Sequence, residues 1–372
     1  MAYEQRVAVP GTIWRGLRFG ALVLAMGLSW QVAVGAAERD PRDSAAPDQV
    51  PAAMQSVIAY EKSGVMPTKH YKIAYVTECV TNAYCQARMK GLEQASKKYG
   101  FEFKTFDSNF NPQAQIKDVQ NAVQQGFDGY LFGPTADAPA CKMWRDFLVP
   151  TKMPVVTVDL SMCGDVDYTP GLAATVSIQR QPYYDIHVEH ALAAACGDGK
   201  PCKGISLSGF AGSDLFARWE AAVDKGLKKM PNVQMVSRRE AKFDPRLARQ
   251  ITQDALQAHP DLKFVVSHDD NMSLGVAAAI KAAGLTPGKD VKIYSMGGNA
   301  HGVQGVVDGT FEGTTAEDPQ AEAYYGAITL VMAMEGHPVN AYVDLKDLPW
   351  LVDGTDTIFI TKQNMSKFKP HW

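Results

Sequence analysis

The chain has 372 residues, of which 46% are hydrophobic and 21% charged, and its formal charge is −3. That composition is ordinary for a globular protein, and the near-neutral balance leaves no electrostatic footprint for nucleic acid. The length exceeds one typical core, so two lobes are expected.

The amino terminus reads as an export signal. Arg6, Arg15 and Arg18 precede an apolar run from Phe19 to Ala37 that closes on Val34-Gly35-Ala36-Ala37. A basic region, an apolar region and a small-residue exit predict cleavage after Ala36 or Ala37. An uncleaved anchor is the rival, but Ser29 and Gln31 interrupt the run. With no cysteine near the cut, a lipid anchor is not expected. Residues 1–37 are therefore read as signal peptide, and the mature chain as a soluble periplasmic protein. Residues 38–70, rich in Ala, Pro, Asp and Ser, read as a leader or linker.

From Lys72 onward, short apolar runs alternate with amphipathic segments. The first run, Lys72–Val76, ends in a polar turn before a helix over Ala83–Tyr99, with Asn82 placed to cap it. Further strands are expected at Glu102–Phe106, Gly129–Phe132, Pro154–Val158, Gly204–Leu207, Val233–Ser237, Phe264–Val266 and Val291–Tyr294. Helices are expected at Pro112–Gln125, Ala138–Phe147, Gln181–Cys196, Leu215–Met230, Pro245–His259 and Asn271–Ala283. Pro112 and Pro245 suit first-turn positions, with Asn109 or Asn111 and Asp244 as caps, and Asp270 is expected to cap the last of these helices. The strand series breaks near Tyr168–Gln179 and resumes. Such alternation predicts an α/β protein with two Rossmann-like lobes, each a parallel sheet flanked by helices. Ligands bind such sheets in loops at the carboxyl ends of the strands, where Asn82 and Tyr84 fall.

The six cysteines, Cys79, Cys85, Cys141, Cys163, Cys196 and Cys202, lie as three neighbouring pairs along the chain. An even count in an exported protein favours disulfides, and proximity favours sequential pairing among the fifteen possible connectivities. Cys196 and Cys202 are the strongest candidates because a Gly/Pro turn joins them. No Cys-x-x-Cys or His-x-x-x-His spacing supports a metal site, and no cofactor is expected.

Several stretches together resemble a known family. They include Asn82-Ala83-Tyr84, Phe106-Asp107-Ser108-Asn109-Phe110-Asn111-Pro112, Gly133-Pro134-Thr135, Pro154-Val155-Val156-Thr157-Val158-Asp159, Gly209-Phe210-Ala211-Gly212, Phe243-Asp244 and Asp269-Asp270-Asn271-Met272-Ser273-Leu274-Gly275. In this order and spacing the chain, from about Tyr71 to Phe359, resembles the periplasmic sugar-binding receptors of the ribose/galactose type, soluble components of ABC importers. The resemblance implies three crossings between lobes. The first lobe would hold residues 71–174 plus 318–339, and the second 175–317 plus 340–372, closing on ligand by a hinge motion.

By the same resemblance, Asn82 and Tyr84 correspond to an Asn-Pro-aromatic turn that bonds and stacks on a sugar. Asp159 would accept from sugar hydroxyls, Arg218 and Phe243 would face the ligand, and Asp269 replaces a family Asn or Asp. Glu317 replaces a Gln at the last crossover, and Glu78 stands where a small hydroxyl residue is frequent. Three more departures are Leu160 for an Arg, Gly297 for an Asp and Cys85 for a second aromatic. These argue against ribose itself and leave a polyol, a less hydroxylated solute or one carrying an amine. The expected function is capture of a small polar solute, by a monomer, for the membrane permease of an ABC importer. A periplasmic sensor that presents the solute to a histidine kinase or chemoreceptor is the alternative. An exported enzyme is disfavoured: no Gly-x-Ser-x-Gly occurs, and only His268 among eight histidines falls near the presumed cleft.

Overall fold

The computed structural model describes residues 50–165, 167–348, 351, 358–370 and 372. The expected signal peptide lies outside them. The first described element is α1 (Val50–Ser63), inside the segment expected to be a linker. Ala53, Met54, Val57 and Tyr60 recur at helical spacing, and all four are buried. Glu61 secures the helix by accepting from Lys98 Nζ (2.8 Å) and the Tyr324 hydroxyl (2.6 Å). An Ala/Pro-rich composition thus conceals a narrow apolar stripe that needs a partner surface to become helical.

The chain continues through β1 (Lys72–Thr77), α2 (Ala83–Tyr99), β2 (Glu102–Asp107), α3 (Pro112–Gln125), β3 (Gly129–Phe132), α4 (Asp137–Met143), β4 (Val155–Val158) and β5 (Ala174–Ser177). It goes on through α5 (Gln181–Cys196), β6 (Cys202–Ser208), α6 (Asp214–Lys229), β7 (Val233–Glu240), α7 (Pro245–Ala258), β8 (Phe264–Ser267), α8 (Asp270–Ala282), β9 (Lys292–Gly297) and α9 (Ala300–Asp308). The last elements are β10 (Gly313–Ala316), α10 (Pro319–Met334), β11 (Tyr342–Asp344) and β12 (Phe359–Ile360). Asn82, Asn111 and Asp244 cap α2, α3 and α7 through side-chain oxygens. The helix expected over Ala138–Phe147 is shorter, because after α4 the chain widens into a π turn over Trp144–Leu148.

The strands form two six-stranded sheets, ordered β11-β5-β4-β3-β1-β2 and β12-β10-β9-β8-β6-β7. All pairings are parallel except β10 with β12. In both sheets the chain order reverses beside the first strand of the lobe, between β1 and β3 and between β6 and β8, which opens a crevice at the carboxyl ends.

Two expected boundaries shift. The strand series does not break at Tyr168–Gln179, because the buried residues of β5 pair with β4 inside the first sheet. The β11 strand also joins the first sheet, through Tyr342–Thr175 and Val343–Val176, so residues 340–348 do not belong to the second. The third crossing accordingly lies between Leu348 and Ile358. A three- or four-residue strand carries too little periodicity to be assigned before its neighbour is known.

The cysteines pair in chain order as Cys79–Cys85, Cys141–Cys163 and Cys196–Cys202, with Cα atoms 5.8, 4.8 and 5.8 Å apart. The first ties the loop after β1 to the start of α2, and the last closes the turn between α5 and β6. No helix among the described residues is long and apolar enough to cross a membrane.

After its excursion through the second lobe the chain returns as α10 and packs along α2 in the first. Gly91 makes that approach possible, since a Cβ there would strike the backbone carbonyl of Gln320. Helix propensity alone favours Ala over Gly by about 1 kcal/mol. Overpacking against a backbone atom costs about 1–3 kcal/mol and should win. Gly91→Ala is therefore expected to lower the urea midpoint, and an unchanged or raised midpoint would show that α2 and α10 separate freely.

Candidate functional site

One cavity lies between the sheets at their carboxyl ends, lined from both lobes. The first lobe contributes Glu78, Asn82, Tyr84, Phe110 and Asp159. The second contributes Leu215, Phe243, His268, Asp269 and Asn271, and the connecting segments add Gln179 and Glu317. Seven of the eight residues singled out in the sequence thus line one space. Arg218 is the exception. From α6 it donates to the Gln179 carbonyl (2.8 Å) and to Ser161 Oγ (3.0 Å), so it clasps the lobes from behind the cavity wall.

The first-lobe wall is built on a buried charge cluster. Arg88 on α2 is fully buried, and its guanidinium bonds Glu78 at the end of β1. The same group lies 3.7 Å from Asp159 Oδ2 and 3.6 Å from Glu322 Oε2. Glu322 Oε1 accepts from the Asp159 backbone N–H (2.9 Å), and its other oxygen accepts from the Tyr84 hydroxyl (3.2 Å). Gln179 Nε2 also donates to that hydroxyl (3.0 Å). Asp159 adopts φ +73°, a left-handed conformation unusual for a non-glycine residue. Ser177 Oγ donates to its carbonyl (2.5 Å). One carboxylate oxygen, Oδ1, takes no hydrogen bond although Asp159 is only 2% exposed.

The two edge strands end in matching loops. Asn109-Phe110-Asn111-Pro112 follows β2, and Lys242-Phe243-Asp244-Pro245 follows β7. Both phenylalanines hold positive φ, at +56° and +55°. Asn109 and Lys242 before them share the left-handed conformation, so each turn is made by two residues ahead of the capping Asn or Asp and the first-turn Pro. The rings face each other across the cleft, 6.1 Å between centroids, and Phe210 stacks on Phe110 at 4.5 Å.

Asp269, not Asp270, caps α8. Its carboxylate accepts from the Met272 N–H (2.8 Å), and its extended backbone suits an N-cap. Asp270 turns inward and accepts from Thr314 Oγ1 (2.7 Å) and the Asn299 N–H (3.0 Å). Glu317, in the crossing from β10 to α10, accepts from the Tyr183 hydroxyl (2.8 Å).

Arg88, Glu322, Gln179 and Trp372 escaped the sequence reading. Glu322 left one signal, as the only charged residue of α10, where a lone carboxylate in an apolar helix implies a buried partner. Trp372 left none. Its indole N–H donates to the Glu317 carbonyl (3.1 Å), and its ring meets Tyr84 edge-on at 5.4 Å. At Gly297, which holds φ +130°, a Cβ would lie 2.9 Å from the Asp270 carboxylate and 3.3 Å from the indole.

Burial and then the Asp159 carboxylate push Glu322 up to about 8. Burial likewise lifts Asp270 to about 7 and Asp269 to about 6, and holds Glu317 well above the carboxylate range. An acid whose folded pKa exceeds its unfolded one keeps its proton longer in the native state, so stability falls as pH rises between the two values. The buried His187 and His268, both lowered to about 3, act oppositely, but only below their ordinary value of 6.5. Above pH 6.5 the histidines' opposing contribution fades, and up to pH 8 the acids outweigh it. The melting temperature should fall across that window, with a shallower fall in Glu322→Gln. A flat wild-type profile would sink this account.

Comparison with known proteins agrees with the fold. The ribose import binding protein of Salmonella typhimurium is 28% identical over 280 residues, covering 74% of this chain and 89% of that protein. That of Bacillus subtilis is 25% identical over 252 residues, covering 68% and 78%. The Caulobacter myo-inositol binding protein, solved with myo-inositol bound, shares the fold with a TM-score of 0.70 at 19% identity, covering 82% of this chain and 98% of that one. A family model described as a periplasmic binding protein domain matches residues 73–338, and the chain belongs to that family.

Proposed function

We propose that this protein is the periplasmic solute-binding component of an ABC importer and captures a small polyhydroxylated solute between its lobes. The observation that carries the reading is Asp159. Its unpartnered buried oxygen belongs to a residue that lines a cavity shared by both lobes. An orphaned buried acceptor costs about 1–3 kcal/mol, which a donor from a ligand would recover. Tyr84 and Phe243 supply apolar faces and Asn82, Gln179 and Asn271 supply amides, the usual mixture for such solutes.

The relatives' names speak for import of a sugar, and the same role is proposed here with a permease as partner. Export by a cleaved signal and action as a monomer belong to the same proposal. The lobes would rotate about the crossings after Ser177 and after Ala316 and the one between Leu348 and Ile358, with Arg218 and the Phe110–Phe210 stack made on closure.

A ligand that binds the native state raises its melting temperature. A thermal-shift screen over pentoses, hexoses, cyclitols and small polyols should find one that does so. Hydrogen bonds to charged groups contribute about 1.5–3 kcal/mol, so Asp159→Ala should weaken that ligand by about tenfold or more in titration calorimetry. Tyr84→Ala should also weaken it, through lost stacking. Undiminished affinity in both variants would place the ligand elsewhere.

A further inference from the structure

The cavity wall is one-sided in charge. Glu78, Asp159, Asp269 and Glu317 all line it, and among the described residues no Lys or Arg does. His268 lines it too, but its ring is neutral at pH 7, because burial lowers it to about 3. Two cations stand behind the wall, and both are committed. Arg88 is shared among Glu78, Asp159 and Glu322, and Arg218 clasps Gln179 and Ser161. Among the described residues neither Glu317 nor Asp269 has an ion-pair partner. Glu317 is 7% exposed and relies on one tyrosine hydroxyl, and Asp269 relies on the amino end of α8.

A neutral sugar supplies hydroxyl donors but no charge. It would leave this imbalance in place, with the carboxyls held protonated or repelling one another. A protonated amine supplies N–H donors to Asp159 Oδ1 and Glu317 together with the missing positive charge.

We infer that the cleft is built for a hydroxylated solute carrying a protonated amine, an amino sugar or amino polyol, with Glu317 and Asp159 as the carboxylates that receive the ammonium group. This deepens the binding-protein reading and rests on it.

The test compares matched pairs on the intact protein at pH 7: D-glucosamine with D-glucose, D-galactosamine with D-galactose, and 3-amino-1,2-propanediol with glycerol. In at least one pair the amine should raise the melting temperature at a concentration where its neutral partner does not, with affinity higher by about tenfold or more. Glu317→Gln should erase that preference. A neutral member that shifts the transition as far as its amine overturns the inference and leaves the binding-protein reading standing. An amine preference that survives intact in both Glu317→Gln and Asp159→Asn also overturns it. If none of these compounds and no neutral member of the wider screen shifts the transition, the binding-protein reading fails with it.

Discussion

The carboxylates on the first-lobe side of the cleft are referred to one buried guanidinium. Arg88 has no exposed surface and stands among Glu78, Asp159 and Glu322. Removing a charge from water costs several kcal/mol, and close opposite charges offset that cost only when the geometry is held. The holding is done by three different segments: the loop after β1, the loop after β4 and the returning helix α10. Glu322 comes last of them in the chain, after most of the second lobe. The wall of the cleft is thus completed only when α10 docks on α2, and the glycine contact at Gln320 and the ion cluster depend on each other.

This arrangement explains why Asp159 can be both strained and exact in position. Its left-handed backbone is held by Glu322 on its N–H and Ser177 on its carbonyl. Strain of this kind persists where the surroundings over-determine a residue, and such residues concentrate at binding sites. The two Phe loops repeat the device at both sheet edges. Because the lobes are built on the same strand order, equivalent loops meet face to face, and an aromatic contact forms wherever both halves carry the same turn.

The residues beside the cleft also have physical settings of their own. Leu160 is buried in the apolar core, and the positive charge beside Asp159 comes from Arg88 on a different element. The Trp372 indole brings an aromatic face to Tyr84 from a distant part of the chain. Cys85 meanwhile braces the loop that carries Asn82 through its bond to Cys79.

Local chemistry alone determined much of this protein. Helices Ala83–Tyr99, Pro112–Gln125 and Gln181–Cys196 have the bounds that their periodicity and flanking residues predict, because caps and first-turn prolines act within a few residues. The position of the cleft followed from strand–helix alternation, since the carboxyl ends of parallel strands are where such sheets open. What depended on partners far along the chain was decided only by the tertiary structure. The α1 helix needs the first lobe to cover its stripe, and β5 and β11 need each other. Asp269 and Asp270 are equivalent as neighbours in sequence, and only the donors of Thr314 and Asn299 turn one of them inward. Arg88, Glu322, Arg218 and Trp372 acquire their roles from groups dozens to hundreds of residues away in most cases. Burial is a property of the assembled fold, and a charge or an indole in the sequence carries no mark of what will surround it.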